Sequence, residues 1–135
     1  MEFDTKIKIV VRDDLESWQK LNVTAFLMSG IAGTQDIIGQ PYKDKDNIEY
    51  LPMSQQPILI HSGNSEQMKT LLQKALTKDV VISIYTEELF KTYSDEDNRA
   101  MVAQFGTEEL NLVGIGIRGK KNHVDRLLKG FELHK

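Results

Sequence analysis

Four short apolar runs, each bordered by polar residues that open or follow a helical pattern, constrain this chain more than any other feature. They are Lys6-Ile7-Lys8-Ile9-Val10-Val11, Pro57-Ile58-Leu59-Ile60-His61, Val80-Val81-Ile82-Ser83-Ile84-Tyr85 and Asn111-Leu112-Val113-Gly114-Ile115-Gly116-Ile117. Runs this short and this rich in β-branched residues suit strands inside a covered sheet. The first alternates and then turns wholly apolar, as a strand does on entering the middle of a sheet. Proline stands first in the second run, where a missing N–H is tolerated. The paired glycines of the fourth allow close backbone approach, and they match no phosphate-loop fingerprint.

Helical patterns separate the runs. Asp13, Asp14 and a Ser17 N-cap lead into a helix over residues 18–31, which Gly30 and Gly33 end. Trp18, Leu21, Val23, Ala25, Phe26, Leu27, Met28 and Ile31 cover most of its circumference, so burial on more than one side is expected. Asn64 and Gln67 form a capping box for a helix reaching residue 78, with Met68, Leu71, Leu72, Ala75 and Leu76 as its apolar stripe. Residues 87–104 are helical but polar, split near Ser94. A last helix over 120–130 precedes a short strand over 131–134. Residues 34–56, with Pro41, Pro52 and Lys43-Asp44-Lys45-Asp46, are an exposed excursion carrying a short edge strand at 48–51. This order predicts one α/β domain over residues 1–135 with a mixed, mainly parallel sheet of about four core strands.

Composition narrows the function classes. At 135 residues the chain can bury a core without staples, and with no cysteine it has no disulfide, thiolate metal site or cysteine nucleophile. Seventeen basic against twenty acidic side chains leave a net charge of −3, which argues against nucleic acid as a partner. The longest low-charge run, residues 21–38, is too interrupted to span a bilayer. A soluble cytoplasmic protein without a membrane partner is expected, and no cofactor or metal is indicated.

Ligands of α/β sheets favour the crevice beyond the strands' carboxyl ends, which turns strand ends into candidate sites. Arg12, Asp13 and Asp14 follow the first strand, His61 and Ser62 the second, and Thr86, Glu87 and Glu88 the third. If these strands run alike, acid, base and cation share one rim. Each group also has a structural role open to it: Asp13 and Asp14 as helix-dipole partners, Arg12 as their ion-pair partner, His61 as a satisfied core histidine, Glu87 and Glu88 as helix openers. Asn22 sets an amide on the apolar stripe of the first helix. It either satisfies backbone or faces a polar cavity and binds something. Lys20 lies on another face.

Ile9-Val10-Val11-Arg12-Asp13-Asp14-Leu15 resembles the opening of the type II peptidyl-tRNA hydrolases. Leu112-Val113-Gly114-Ile115-Gly116, followed by Val124-Asp125-Arg126-Leu127-Leu128-Lys129-Gly130-Phe131, resembles their ending. Trp18-Gln19-Lys20-Leu21-Asn22-Val23-Thr24-Ala25-Phe26 is similar to a group within that superfamily known only as a domain of unknown function. The resemblance implies a three-layer α/β/α sandwich, peptidyl-tRNA hydrolase II-like, and a homodimer. The hydrolases carry Gly-Lys-x-Ala-Ala-Gln-x-x-His-Ala on their first helix. Lys20 stands at the lysine, but the glutamine and histidine fall on Thr24 and Leu27, or on Ala25 and Met28 after a one-residue slide. Their strand-end aspartate falls near Thr86, and their threonine on Asn111. Losing these groups together removes the acid, base and orienting roles.

The expectation is therefore a small-ligand or protein-binding module with Arg12, Asp13, Asn22, His61 and Thr86 as binding residues. The alternative is a divergent hydrolase or transferase acting on an acylated or phosphorylated small molecule. It would use Asp14 or Glu87 as base and Lys20 or Arg12 as stabiliser. Peptidyl-tRNA hydrolysis ranks third.

Overall fold

The computed structural model describes residues 3–135. Its strands are β1 (Thr5–Arg12), β2 (Tyr42–Lys43), β3 (Glu49–Tyr50), β4 (Ile58–Gly63), β5 (Val80–Thr86), β6 (Leu112–Lys120) and β7 (Glu132–Leu133). Its α-helices are α1 (Ser17–Thr34), α2 (Ser65–Ala75), α3 (Asp95–Val102) and α4 (Lys121–Leu127), and 3-10 turns lie at Glu87–Lys91 and Thr107–Glu109. Five strands form one sheet in the order β5-β6-β1-β4-β7, while β2 and β3 make a separate hairpin.

The mainly parallel sheet of four core strands is corrected. Only β1 and β4 pair in parallel; β1 with β6, β5 with β6 and β4 with β7 are antiparallel. The physical reason is that β6 returns from the same rim at which β5 ends and inserts between β5 and β1. Apolar content alone does not distinguish that return from a crossover. Since β5 and β1 are both antiparallel to β6, strands β1, β4 and β5 still run the same way and share a carboxyl-end rim.

Alternate residues of β1 feed two cores, as the pleat requires. Ile7, Ile9 and Val11 pack with Val23, Leu27 and Ile31 of α1. Val10 packs with Met68 and Leu71 of α2 and with Val124 and Leu127 of α4. Helix α1 therefore covers one face of the sheet, and α2 and α4 cover the other. The glycines of β6 set the first of these contacts. A Cβ on Gly114 would overlap Val23 and stand 2.9 Å from Leu27 Cδ1, so α1 rests on β6 at a distance that only glycine permits.

Helix ends follow local chemistry. Asn64 and Gln67 exchange hydrogen bonds, with Gln67 N–H donating to Asn64 Oδ1 (2.9 Å) and Asn64 N–H to Gln67 Oε1 (2.8 Å). Ser94 caps α3 and accepts from Asp97 N–H (3.0 Å), which places the split in this region where the acids begin. The cap of α1 is Glu16 rather than Ser17, because Gln19 lies three residues on and accepts from the Glu16 N–H at 2.9 Å. Gly30 and Gly33 lie inside α1, which runs on to Thr34. Nor is α1 buried on several sides: Trp18, Leu21 and Phe26 are 59%, 73% and 52% exposed. Among the described residues no helix is long and apolar enough to cross a membrane.

Candidate functional site

The shared rim brings together groups that lie far apart in sequence. Arg12, the last residue of β1, is 9% exposed. Its Nε donates to Asp14 Oδ1 (2.6 Å), Nη2 to Glu87 Oε1 (3.0 Å) and Nη1 to Asn111 Oδ1 (3.4 Å). Asn111 closes the ring by donating through Nδ2 to Glu87 Oε2 (2.7 Å) and Glu88 Oε2 (3.3 Å). Burial works against the Arg12 charge, yet the hydrogen bonds it donates to Asp14 and Glu87 outweigh it and raise its pKa. The hydrogen bond from Asn111, and then that from Arg12, hold Glu87 below the usual carboxylate range. Both groups are thus ions at neutral pH, and a carboxylate stabilised in this way is a weak proton acceptor.

The other strand-end candidates occupy different surroundings. Asp13 has an exposed carboxylate, and its N–H donates to Gly63 O (2.9 Å), tying β1 to β4. Thr86 is 1% exposed, and its Oγ1, like Glu88 Oε1, is buried without a hydrogen-bond partner among the described residues. His61 lies opposite Val10 in the ladder, two residues short of the rim, on the face covered by α2 and α4. Its Nδ1 is 3.3 Å from Phe131 O, and Nε2 is buried without a partner. Burial, and then the charge of Lys8, lower its pKa, so the ring is neutral. Lys20 precedes Leu27 by seven residues on the sheet-facing side of α1. It is half-buried and makes no salt bridge among the described residues. No cluster of three or more histidine, aspartate or glutamate side chains suited to a metal ion occurs among the described residues.

Asn22 lies away from this rim. It is exposed on α1, without a side-chain hydrogen bond among the described residues, and lines a cleft of about 480 Å³ together with Trp18, Phe90, Tyr93, Asp95 and Asn98. A second cavity of about 610 Å³ adjoins it, sharing Phe26, Tyr85, Leu89, Asp95 and Asn98 and reaching Gly30 and Ser83. The i, i+4, i+8 spacing of Trp18, Asn22 and Phe26 puts all three on one stripe of α1. The opposite wall comes from the 3-10 turn after β5 and from α3. Four rings run along the cleft in contact. Trp18 and Phe90 have centroids 5.8 Å apart, Phe90 and Tyr85 5.2 Å, and Tyr85 and Phe26 5.8 Å.

Phe90, Tyr93, Asp95 and Asn98 are the site residues that sequence reasoning does not reach. Their one signal is aromatic side chains in an otherwise polar stretch; Tyr93 is 98% exposed. The rim and the cleft meet along residues 86–90, where Thr86 and Glu87 lead directly into Leu89 and Phe90.

This architecture, an open sheet with an ion-paired rim and an aromatic cleft beside its first helix, defines an α/β domain with a concave polar–apolar site. Residues 5–135 match the family described as protein of unknown function (DUF2000), and the chain belongs to that family. Among solved structures it is similar to the protein of unknown function Atu0240 from Agrobacterium tumefaciens strain C58. The two are 44% identical, 99% of this chain and 100% of that chain are covered, and the TM-score is 0.95. No curated protein matches the chain significantly.

Proposed function

We propose that this domain is a small-ligand binding module whose site is the cleft between α1 and the segment from β5 to α3. The observation that carries this reading is Asn22. An amide exposed on a helix stripe otherwise built of Trp18 and Phe26, and without a hydrogen-bond partner among the described residues, offers a donor and an acceptor between apolar walls. Ligand sites are commonly built that way, with a few polar groups fixing orientation inside an apolar surface. In this reading Arg12, Asp14, Glu87 and Asn111 brace the rim beneath the cleft, and Thr86 joins the two. His61 and Asp13 support the sheet. The architecture is peptidyl-tRNA hydrolase II-like, a three-layer α/β/α sandwich, with the hydrolase vocabulary replaced. The protein is cytoplasmic, in keeping with its lack of cysteine, and homodimeric. The apolar side chains exposed on the 38–53 excursion, Leu51 and Met53 foremost, supply the contact area. Sedimentation equilibrium tests the dimer.

The divergent hydrolase or transferase reading has less support. Glu87 is held below the carboxylate range by Asn111 and Arg12, whereas a general base works best near the operating pH. Peptidyl-tRNA hydrolysis has least, since the rim's cation is already bound by acids. A fragment library screened by 15N NMR tests the binding reading. Compounds are expected to shift the amides of Asn22, Phe90 and Asn98, with the effect lost in Asn22→Leu. Shifts confined to Arg12, Asp14 and Glu87, with turnover of an ester or phosphoester, would move the site to the rim.

A further inference from the structure

Resting on the cleft as a ligand site, we infer that its occupant carries a methylated ammonium group, a small organic cation of the choline type. Three observations converge on this class.

The first is the set of ring angles. Trp18 and Phe90 meet at 67°, Phe90 and Tyr85 at 47°, and Tyr85 and Phe26 at 56°. No successive pair is parallel, so a flat ligand ring would stack on one wall only. Trp18, Phe26, Phe90 and Tyr93 all line the compartment, and a rounded cation packs against an aromatic wall without needing a parallel partner, drawn by the negative side of the aromatic quadrupole.

The second is charge. Among the described residues Asp95 is the one ionic side chain lining the compartment of Trp18 and Phe90. Arg99 borders only the adjoining cavity and pairs with Asp95 across one turn of α3. Both side chains are largely exposed, so water and salt weaken that pair and leave the carboxylate able to face a second cation. Among the described residues no lysine lines either compartment, which disfavours a phosphate or carboxylate ligand.

The third is the balance of polar groups. Asn22 and Asn98 each bring an amide, and the volume of about 480 Å³ holds a small head group with a short polar tail. Methyl groups on the nitrogen suit these walls better than a bare ammonium, whose three N–H donors would need acceptors that the rings do not supply.

The test uses the full chain in 15N NMR at low salt, titrated with choline and with its neutral isostere 3,3-dimethyl-1-butanol. The single tryptophan gives a unique indole signal for the wall itself. Choline is expected to shift that indole and the amides of Asn22 and Phe90 saturably, at least about tenfold more tightly than the isostere. Phe90→Leu and Trp18→Leu, which keep apolar volume and remove a ring face, should each weaken choline about threefold to thirtyfold, and Asp95→Asn about threefold. Equal binding of the neutral isostere, or choline binding unchanged in Phe90→Leu, overturns the cation and leaves the cleft as a ligand site. If neither compound nor any member of a general fragment library moves these signals, the ligand cleft falls as well.

Discussion

Arg12→Ala separates a bracing rim from a reactive one. The guanidinium is nearly buried and makes two charge-assisted bonds, to Asp14 at 2.6 Å and to Glu87 at 3.0 Å. Breaking a buried ion pair costs about 3–5 kcal/mol when the abandoned charge stays buried. Here the side chains of Asp14 and Glu87 are 65% and 51% exposed, so the freed carboxylates return to water and the penalty falls. Adding the lost packing of the aliphatic stem, the expected cost is about 2 kcal/mol. With a urea slope of about 2 kcal/mol per molar, the midpoint drops by about 1 M at unchanged slope. Arg12→Met, which keeps the stem, should recover part of the loss, and Glu87→Gln should cost about 1 kcal/mol. A midpoint within about 0.2 M of wild type for Arg12→Ala would refute the reasoning. So would independent behaviour of Arg12 and Glu87 in a double-mutant cycle.

The remaining expectations use the same structure at other points. Glu87 has a folded pKa below its ordinary value of 4.5, so its contribution is present above that pH and is lost as pH falls further. Glu87→Gln should flatten the acid limb of the stability curve, measured by urea unfolding between pH 3 and 6. His61 has a folded pKa below 6.5, so the unfolded chain takes up the proton first and stability declines as pH drops below that value. His61→Gln should lessen the decline between pH 6.5 and 5. Gly114→Ala should destabilise by about 1–3 kcal/mol by forcing α1 off β6. Gly33→Ala, in α1 with nothing within 4 Å of the added carbon, should stabilise by about 0.5–1 kcal/mol. Thermal melts of the two glycine variants check the opposite signs.

The strands are legible in sequence because β-branched runs of this length have few other uses. The Asn64–Gln67 box and the Ser94 start are legible because capping is local chemistry. Strand direction is not local. The return of β6 beside β5 depends on where residues 87–111 carry the chain, and that stretch has no apolar period. The exposure of Trp18, Leu21 and Phe26 escapes for a related reason, since a helix apolar on several sides reads as buried until its neighbours are known. The shared rim follows from strand ends, and Arg12 pairing with acids follows from their adjacency. Asn22 is visible as an amide on an apolar stripe. The wall facing it is not, because Phe90, Tyr93 and Asn98 reach it only through the fold.

A high-resolution crystal structure of the protein purified without added ligand, beside the same crystal soaked with the tightest fragment from the screen, tests the central claim most directly. The account predicts an open cleft, with the fragment seated among Trp18, Phe26 and Phe90 and hydrogen-bonded to the Asn22 amide. An Asn22 side chain turned onto protein backbone, with Trp18 and Tyr93 closed over the cleft and the fragment elsewhere, would contradict it.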